Sequence, residues 1–459
     1  MLRPPSVVAL GFLLFFVWPA QYAAETPHAV PMLAEQPLAD FKARREQLRR
    51  RLADGVVLVP GRLEEALGVN EKFFQDDNFF YLTGVEAPGA TLLLTPTPYQ
   101  GVHEILFLPR RDPQKERWTG PQPGPDQDAE RRFGVERALP SDTLAQVLQE
   151  LRLSGAFKDG GQIHLIADPE DVQERAVRQL VELLRRELPT VPINDARSAV
   201  NLMRMCKTPA EIALLKKAVR ITSEAFRDVF KHLRVGCYEY ELEAVVLAAF
   251  YRNGAERPGY PCIIGGGQNA TILHYNRNRD RIEDGDLVVV DVGAKYRGYT
   301  ADITRTFPAN GKFTPRQRAI YEVVLAAQEA AVKAFAPGKS RMSDLTLAAR
   351  AAMRASPLRA GDQLTLDNFF IHGLGHFIGL HVHDVGDYAR PLPPGSVITI
   401  EPGIYIPAER IGIRIEDDYL VTETGLVKLS ADIPSRPEAI EQALQQARRA
   451  AGRLNSAKD

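Results

Sequence analysis

Four carboxylates of this 459-residue chain stand at the ends of short apolar runs, in two matching arrangements. In the first, Asp286-Leu-Val-Val-Val-Asp291-Val-Gly is followed by Tyr296-Arg-Gly-Tyr and then by Thr300-Ala-Asp302-Ile-Thr-Arg-Thr. Two strand-like runs joined by a short polar turn with glycine predict a hairpin. A centre between Tyr296 and Arg297 sets Asp291 opposite Asp302, with Cβ atoms roughly 4.5–5.5 Å apart. Like charges facing each other destabilise a sheet, so this spacing calls for something positive between them. Taken singly, either aspartate could instead end a strand or cap a turn. In the second arrangement, Val397-Ile-Thr-Ile-Glu401 and Ile411-Gly-Ile-Arg-Ile-Glu416 bracket a turn containing Pro407, and Glu401 and Glu416 are symmetric about its centre. Side chains alternate along a strand, so Arg414 shares a face with Glu416. It reads either as a structural ion-pair partner or as the binder of an anionic substrate group.

Between the two arrangements lies His372-Gly-Leu-Gly-His376-Phe-Ile-Gly-Leu-His381-Val-His383-Asp384-Val-Gly, which holds four of the nine histidines within twelve residues. A lone histidine reads as a satisfied core or surface residue, whereas four beside a glycine-rich apolar loop point to a site. Four carboxylates and one imidazole make a plausible set of ligands for two divalent cations, whose charge they balance. Oxygen-rich ligation favours Mn²⁺, with Co²⁺, Fe²⁺ or Zn²⁺ as alternatives, and the lack of thiolates argues against a structural zinc site. Two cations about 3.5–4 Å apart can share a bridging water, lower its pKa and deliver hydroxide to a carbonyl. The chemistry expected is amide hydrolysis.

The elements that must position these residues are of mixed type. Over residues 40–200, apolar runs at Gly55 to Val59, Phe79 to Thr83, Thr91 to Leu94, Glu104 to Leu108 and Ile163 to Ile166 predict strands. Between them, Ala39 to Leu52, Thr143 to Leu153 and Pro169 to Leu188 predict helices, giving a mixed α/β domain. Arg111 to Gly134, rich in Pro, Gly, Asp and Arg, predicts an irregular surface excursion. Thr208-Pro209-Ala210-Glu211 has the form of a helix start, and the boundary to a second domain is placed near it. Two long amphipathic helices follow, then strands at 286–293, 299–306, 396–401 and 411–422, with helices near 315–336 and 343–355. The tail from Arg436 to about Leu454 predicts a solvated helix. The domain reading is residues 1–24 as a signal segment, 25–200 as an N-terminal domain and 201–459 as a C-terminal one.

A chain of this length exceeds the roughly 250–300 residues that one core supports. Lys plus Arg (57) nearly cancel Asp plus Glu (58), so no bulk field draws the protein to nucleic acid or an anionic membrane. Arg3, the apolar run from Val7 to Ala20 and the small residues Ala20, Ala23 and Ala24 predict a cleaved secretory signal. That reading places the protein in the periplasm or outside the cell without a stable membrane anchor; an uncleaved anchor is the alternative. Cys206, Cys237 and Cys262 read as buried small residues, with one disulfide as the alternative.

The segments HGLGHFIGLHVHDVG, VVDVGAKYRGYTADITRTF, ITIEPGIYI and GIRIEDDYLVT together resemble the metal-dependent pita-bread peptidases, specifically the Xaa-Pro aminopeptidases (aminopeptidase P), with prolidase close by. The resemblance covers residues 209–435 strongly and 40–200 more weakly, through QDDNFFYLTGVEAPGATLLL and FLPRRDPQKERWTG. It implies an α/β (α+β) chain whose C-terminal pita-bread domain carries an antiparallel sheet flanked by helices. It also implies roles for residues. Asp291 would bind one metal, Asp302 and Glu416 would bridge both, and His376 and Glu401 would complete the other. His274 and His383 match substrate-binding and transition-state histidines, His372 matches a residue of the proline pocket, and Tyr260 and Arg414 match further active-site positions. Glu401 would also shuttle a proton. His381 stands where the family commonly has an acidic residue, and reads as another titrating group near the site or as a solvent-facing side chain. The implied substrates are peptides with proline second, and the implied assembly is a homodimer or homotetramer. A prolidase restricted to dipeptides, blocked by a residue such as Trp118, is the near alternative. An inactive peptide-binding relative is opposed by the presence of all five ligands.

Overall fold

The computed structural model describes residues 36–64, 72–158, 160–171 and 173–456; the predicted signal segment lies outside them. The N-terminal part begins with α1 (Leu38–Arg51), β1 (Gly55–Pro60), α2 (Asp77–Thr83), β2 (Thr91–Tyr99) and β3 (Val102–Leu108). It continues with α3 (Pro113–Thr119), α4 (Gln127–Phe133), β4 (Arg137–Pro140), α5 (Leu144–Ser154), β5 (Gln162–Leu165), α6 (Arg175–Glu187), β6 (Ile193–Asp195) and α7 (Arg197–Met205). Its six strands form one mixed sheet in the order β4-β3-β2-β1-β5-β6. β1 is apolar throughout and buried at every position, as a central strand covered on both faces requires.

Two expectations for this region are corrected. The run Phe79 to Thr83 is the body of helix α2, not a strand. Asp76 accepts from the Phe79 N–H at 2.9 Å and Gly84 closes the helix at φ 66°, and all five residues are buried, so no periodicity marks the run as helical. The excursion from Arg111 to Gly134 is not irregular either. It contains α3 and α4, capped by Asp112 and Asp126 and ended by Gly120 and Gly134.

The C-terminal part opens with α8 (Pro209–His232), which carries a full capping box between Thr208 and Glu211, and α9 (Glu239–Arg252). Strands β7 (Arg257–Pro258), β8 (Ile263–Gly266), β9 (Leu287–Val292), β10 (Ala294–Tyr296), β11 (Tyr299–Thr300) and β12 (Ile303–Pro308) follow. Helices α10 (Pro315–Ala334) and α11 (Met342–Ala355) precede the short pair β13 (Arg359–Ala360) and β14 (Leu364–Thr365). The last strands are β15 (Val397–Ile400), β16 (Gly403–Ile406), β17 (Ile411–Arg414), β18 (Asp417–Val421) and β19 (Leu426–Lys428), before α12 (Pro437–Ser456). All strand pairing here is antiparallel, and the helices flank it. α12 is amphipathic and only partly solvated: Ile440 and Leu444 are fully buried and the helix packs against α8.

One apolar core lies within the N-terminal sheet and its covering helices α5 and α6, and another fills the C-terminal part. A third joins the two, combining Phe41, Phe79 and Leu82 with Leu214, Tyr299, Ile378 and Leu380. Among the described residues, no helix is long and apolar enough to cross a membrane. The cysteines form no disulfide; Cys237 and Cys262 are buried and Cys206 is exposed.

Candidate metal centre

The hairpin carrying the two aspartates turns at Arg297 and Gly298, with Tyr296 paired to Tyr299. Both turn residues hold positive φ, 48° and 83°, as a two-residue type I′ turn demands. The centre is thus one residue later than the sequence reading placed it. Asp291 pairs with Thr304, and Asp302 sits diagonally across from Asp291 on the same face. The second arrangement matches expectation: β15 with β18 and β16 with β17 share the register that sets Glu401 opposite Glu416. At that point the ladder is interrupted. The Glu401 N–H goes to the Leu374 carbonyl at 2.8 Å and the Glu416 N–H to the Thr304 carbonyl at 3.0 Å. Each carboxylate therefore projects from a break between two ladders.

The glycine-rich loop supplies the imidazole. It runs along β15, with the Phe377–Ile398 bridge and reciprocal bonds between His376 and Thr399. A Cβ at Gly375 would stand 2.1 Å from the Thr399 carbonyl, so only glycine permits this approach. Nδ1 of His376 bonds the Phe377 carbonyl at 3.0 Å, which turns Nε2 toward Asp302 Oδ2 (3.4 Å) and Glu401 Oε1 (3.6 Å). Ligand atoms of Asp302, His376 and Glu416 all lie within 4.8 Å of one another.

Around this centre the polar groups are tightly linked. The Tyr260 hydroxyl lies 2.6 Å from Asp291 and 2.5 Å from Asp302, so its single hydrogen serves one of them at a time. Arg414 donates to Asp291 at 2.6 Å, to Thr304 at 3.1 Å and to the Tyr405 hydroxyl at 2.9 Å. Thr304 in turn donates to Glu416 at 2.6 Å, and Tyr405 lies 2.9 Å from His372 Nε2. Thr304, Tyr405 and Asp418, whose carboxylate accepts the Asp302 N–H at 3.2 Å, were not singled out from sequence. Thr304 lies two residues from Asp302 and Tyr405 four from Glu401, and this even spacing along the strands was the available signal for the residues themselves.

Burial first, then the fields of Asp302, Glu401 and Asp291, hold the Glu416 carboxyl well above its usual range. Glu401 is pushed to about 8 by burial, which outweighs the opposing fields of His376 and Arg414. Asp291 is also raised by burial against the pull of Arg414. His376 moves the other way from what burial dictates: its contact with Asp302 and the fields of Asp302 and Glu401 lift it to about 9. His372 falls to about 4 through burial and the Arg414 charge. Several buried acids converging on one centre, with one imidazole presenting a ring nitrogen, fit divalent cations, which would relieve the repulsion.

All ten residues named as site candidates line one cavity of about 550 Å³: Tyr260, His274, Asp291, Asp302, His372, His376, His383, Glu401, Arg414 and Glu416. The His383 ring packs edge-on against His376 at 4.4 Å. His274 is exposed at the wall. His381 faces solvent, and Trp118, 84% exposed on α3, does not line the cavity.

The profile described as metallopeptidase family M24 matches residues 213–423, and that described as aminopeptidase P, N-terminal domain, matches residues 41–156. The chain is 37% identical over 439 residues to the Xaa-Pro aminopeptidase of Escherichia coli (strain K12), covering 89% of this chain and 98% of that one. It is 31% identical over 477 residues to the Xaa-Pro dipeptidase of Homo sapiens, covering 88% and 93%. The solved structure of aminopeptidase P from E. coli with the inhibitor Pro-Leu matches with a TM-score of 0.80 at 35% identity, covering 90% of this chain and 99% of that one.

Proposed function

The chain belongs to metallopeptidase family M24, and from that premise we propose that it removes the N-terminal residue from peptides whose second residue is proline. The observation carrying this reading is the convergence of Asp302, His376 and Glu416 in a cavity that also holds Asp291, Glu401 and Arg414. Asp291 would hold one cation, Asp302 and Glu416 would be shared by two, and His376 with Glu401 would complete the second. When bound, the pair supplies Lewis acidity and lowers the pKa of water; Mn²⁺ best suits the oxygen-rich donors.

The chain's own residues then do the rest. His376 keeps its Nδ1 proton on the Phe377 carbonyl, leaving Nε2 as the donor to metal. Arg414 holds Asp291 and, through Thr304, steadies Glu416. Glu401 passes a proton to the leaving nitrogen, and His274 and His383 at the cavity wall meet the substrate. His372, in edge contact with Phe370 and bonded to Tyr405, forms the wall for the proline ring. A proline nitrogen carries no hydrogen, so a site that needs no N–H from the bond it cuts can accept it.

Metal analysis of the purified protein together with assays on Xaa-Pro and Xaa-Pro-Yaa tests the proposal. Release of the first residue from the tripeptide is expected. Cleavage of the dipeptide alone would instead favour the prolidase reading, which the human dipeptidase relative keeps in view. Export through the apolar segment at residues 7–20 and assembly as a dimer or tetramer complete the proposal. N-terminal sequencing of the exported protein and its mass in solution test these two.

A further inference from the structure

His383 lines the cavity, yet among the described residues no side-chain hydrogen bond holds its ring, and its only ring contact is the edge-on packing against His376. Its place is therefore set by its backbone, which belongs to an irregular loop. On one side the loop is tied to the β10–β11 hairpin: the Thr300 N–H donates to the Gly379 carbonyl at 2.9 Å, and the buried Lys295 ammonium to the Leu380 carbonyl at 2.6 Å. On the other side the next residue, Asp384, is buried. Its N–H bonds the Phe377 carbonyl at 2.9 Å, and its carboxylate meets Arg204 Nη2 at 2.5 Å and Lys207 Nζ at 3.2 Å. Arg204 is fixed from α2 as well, through Asn78 at 2.7 Å and Asp77 at 3.5 Å. Gly379 runs against the same carboxylate, where a Cβ would stand 2.1 Å from Asp384 Oδ2.

A buried ion cluster contributes little net stability over an apolar replacement of equal shape, while its short contacts tie its members to one another. Here those contacts fix the backbone one residue from a cavity histidine. We propose that Asp384, clamped by Arg204 of α7 and Lys207 of the segment that joins α7 to α8, is a positioning residue that holds His383 in place over the acidic centre. The inference rests on the reading that His383 meets the substrate.

A double-mutant cycle on the full, metal-loaded protein tests it, with the tripeptide Ala-Pro-Gly as substrate and with metal content and Tm measured on each sample. Asp384→Asn and Lys207→Met are each made alone and combined with His383→Ala; if Asp384→Asn does not fold, the Lys207→Met pair completes the cycle. With His383 present, each substitution is expected to lower kcat/KM on the order of tenfold or more, mainly through kcat, at unchanged metal content. In the His383→Ala background the same substitutions are expected to change kcat/KM by less than about twofold, while still lowering Tm equally. Equal fold-losses in both backgrounds would overturn the proposal and leave Asp384 a purely structural residue. Full activity in His383→Ala alone would instead remove the substrate-contact reading of His383, and this inference with it.

Discussion

Glu401 and Glu416 are carboxylates that burial penalises and that the proposed cations would relieve, and this opposition makes the centre measurable without a substrate. Without metal, burial pushes the Glu401 carboxyl from an ordinary 4.5 to about 8. A raised folded pKa contributes stability that is whole below the ordinary value and is lost as pH rises through the folded one. His376, raised from 6.5 to about 9, acts with the same sign. The Tm of the metal-free protein is thus expected to fall between pH 5 and pH 8.5, and added Mn²⁺ at pH 8.5 to restore it. A Tm that climbs over that range without metal would contradict the assignment. Cation at about 100 times its Kd adds roughly 2.7 kcal/mol of stability. Asp302→Ala and Glu416→Ala should each abolish that increment together with activity, while the metal-free Tm of Glu416→Ala stays at or above that of the unsubstituted protein. Normal turnover with full metal content in either would show that the replaced carboxylate is not a ligand.

Among the elements, the Arg297–Gly298 turn sets which residues face one another, and Gly298 has no room to change. Its φ is 83° and a Cβ there would meet Phe80 at 2.8 Å. Gly298→Ala is expected to cost about 1–3 kcal/mol in urea unfolding and to weaken metal binding, read by titration, because the strand ends carrying Asp291 and Asp302 move with the turn. This turn also marks the limit of what the sequence revealed. Glycine beside a polar residue announced a hairpin, but a shift of one residue in the turn moves every pairing by two, and alternation is blind to a shift of two. The Glu401–Glu416 register was legible because the apolar runs on both sides bracket one turn. Helix α2 was not: a run buried on all sides looks the same as strand or helix, and only its capping aspartate and closing glycine told them apart. The links through Thr304 and Tyr405 required knowing which strands lie side by side, which no local pattern states.

Across the whole molecule, the core that joins Phe41 and Phe79 to Tyr299, Ile378 and Leu380 carries the loop and hairpin of the metal centre on its surface. Arg44 of α1 reaches Glu211 of α8 at 3.1 Å, with side chains 5% and 2% exposed, and Glu211 also accepts from the Tyr299 hydroxyl at 2.7 Å. Removing one partner of such a buried pair costs about 3–5 kcal/mol. Arg44→Met, which keeps the bulk over Tyr81, is expected to lose that much in urea while the two halves still unfold in one transition; a loss below about 1 kcal/mol would place the pair in the class of exposed ones. The interruption between the two ladders has its own consequence. Glu401 and Glu416 share no rung, so the gap between their carboxylates is governed by Leu374 on one side and Thr304 on the other, not by the fixed pitch of a ribbon. Were cations of different radius to bind there, a slight hinge at either end of that break would seat them, with the strands above and below left as they are.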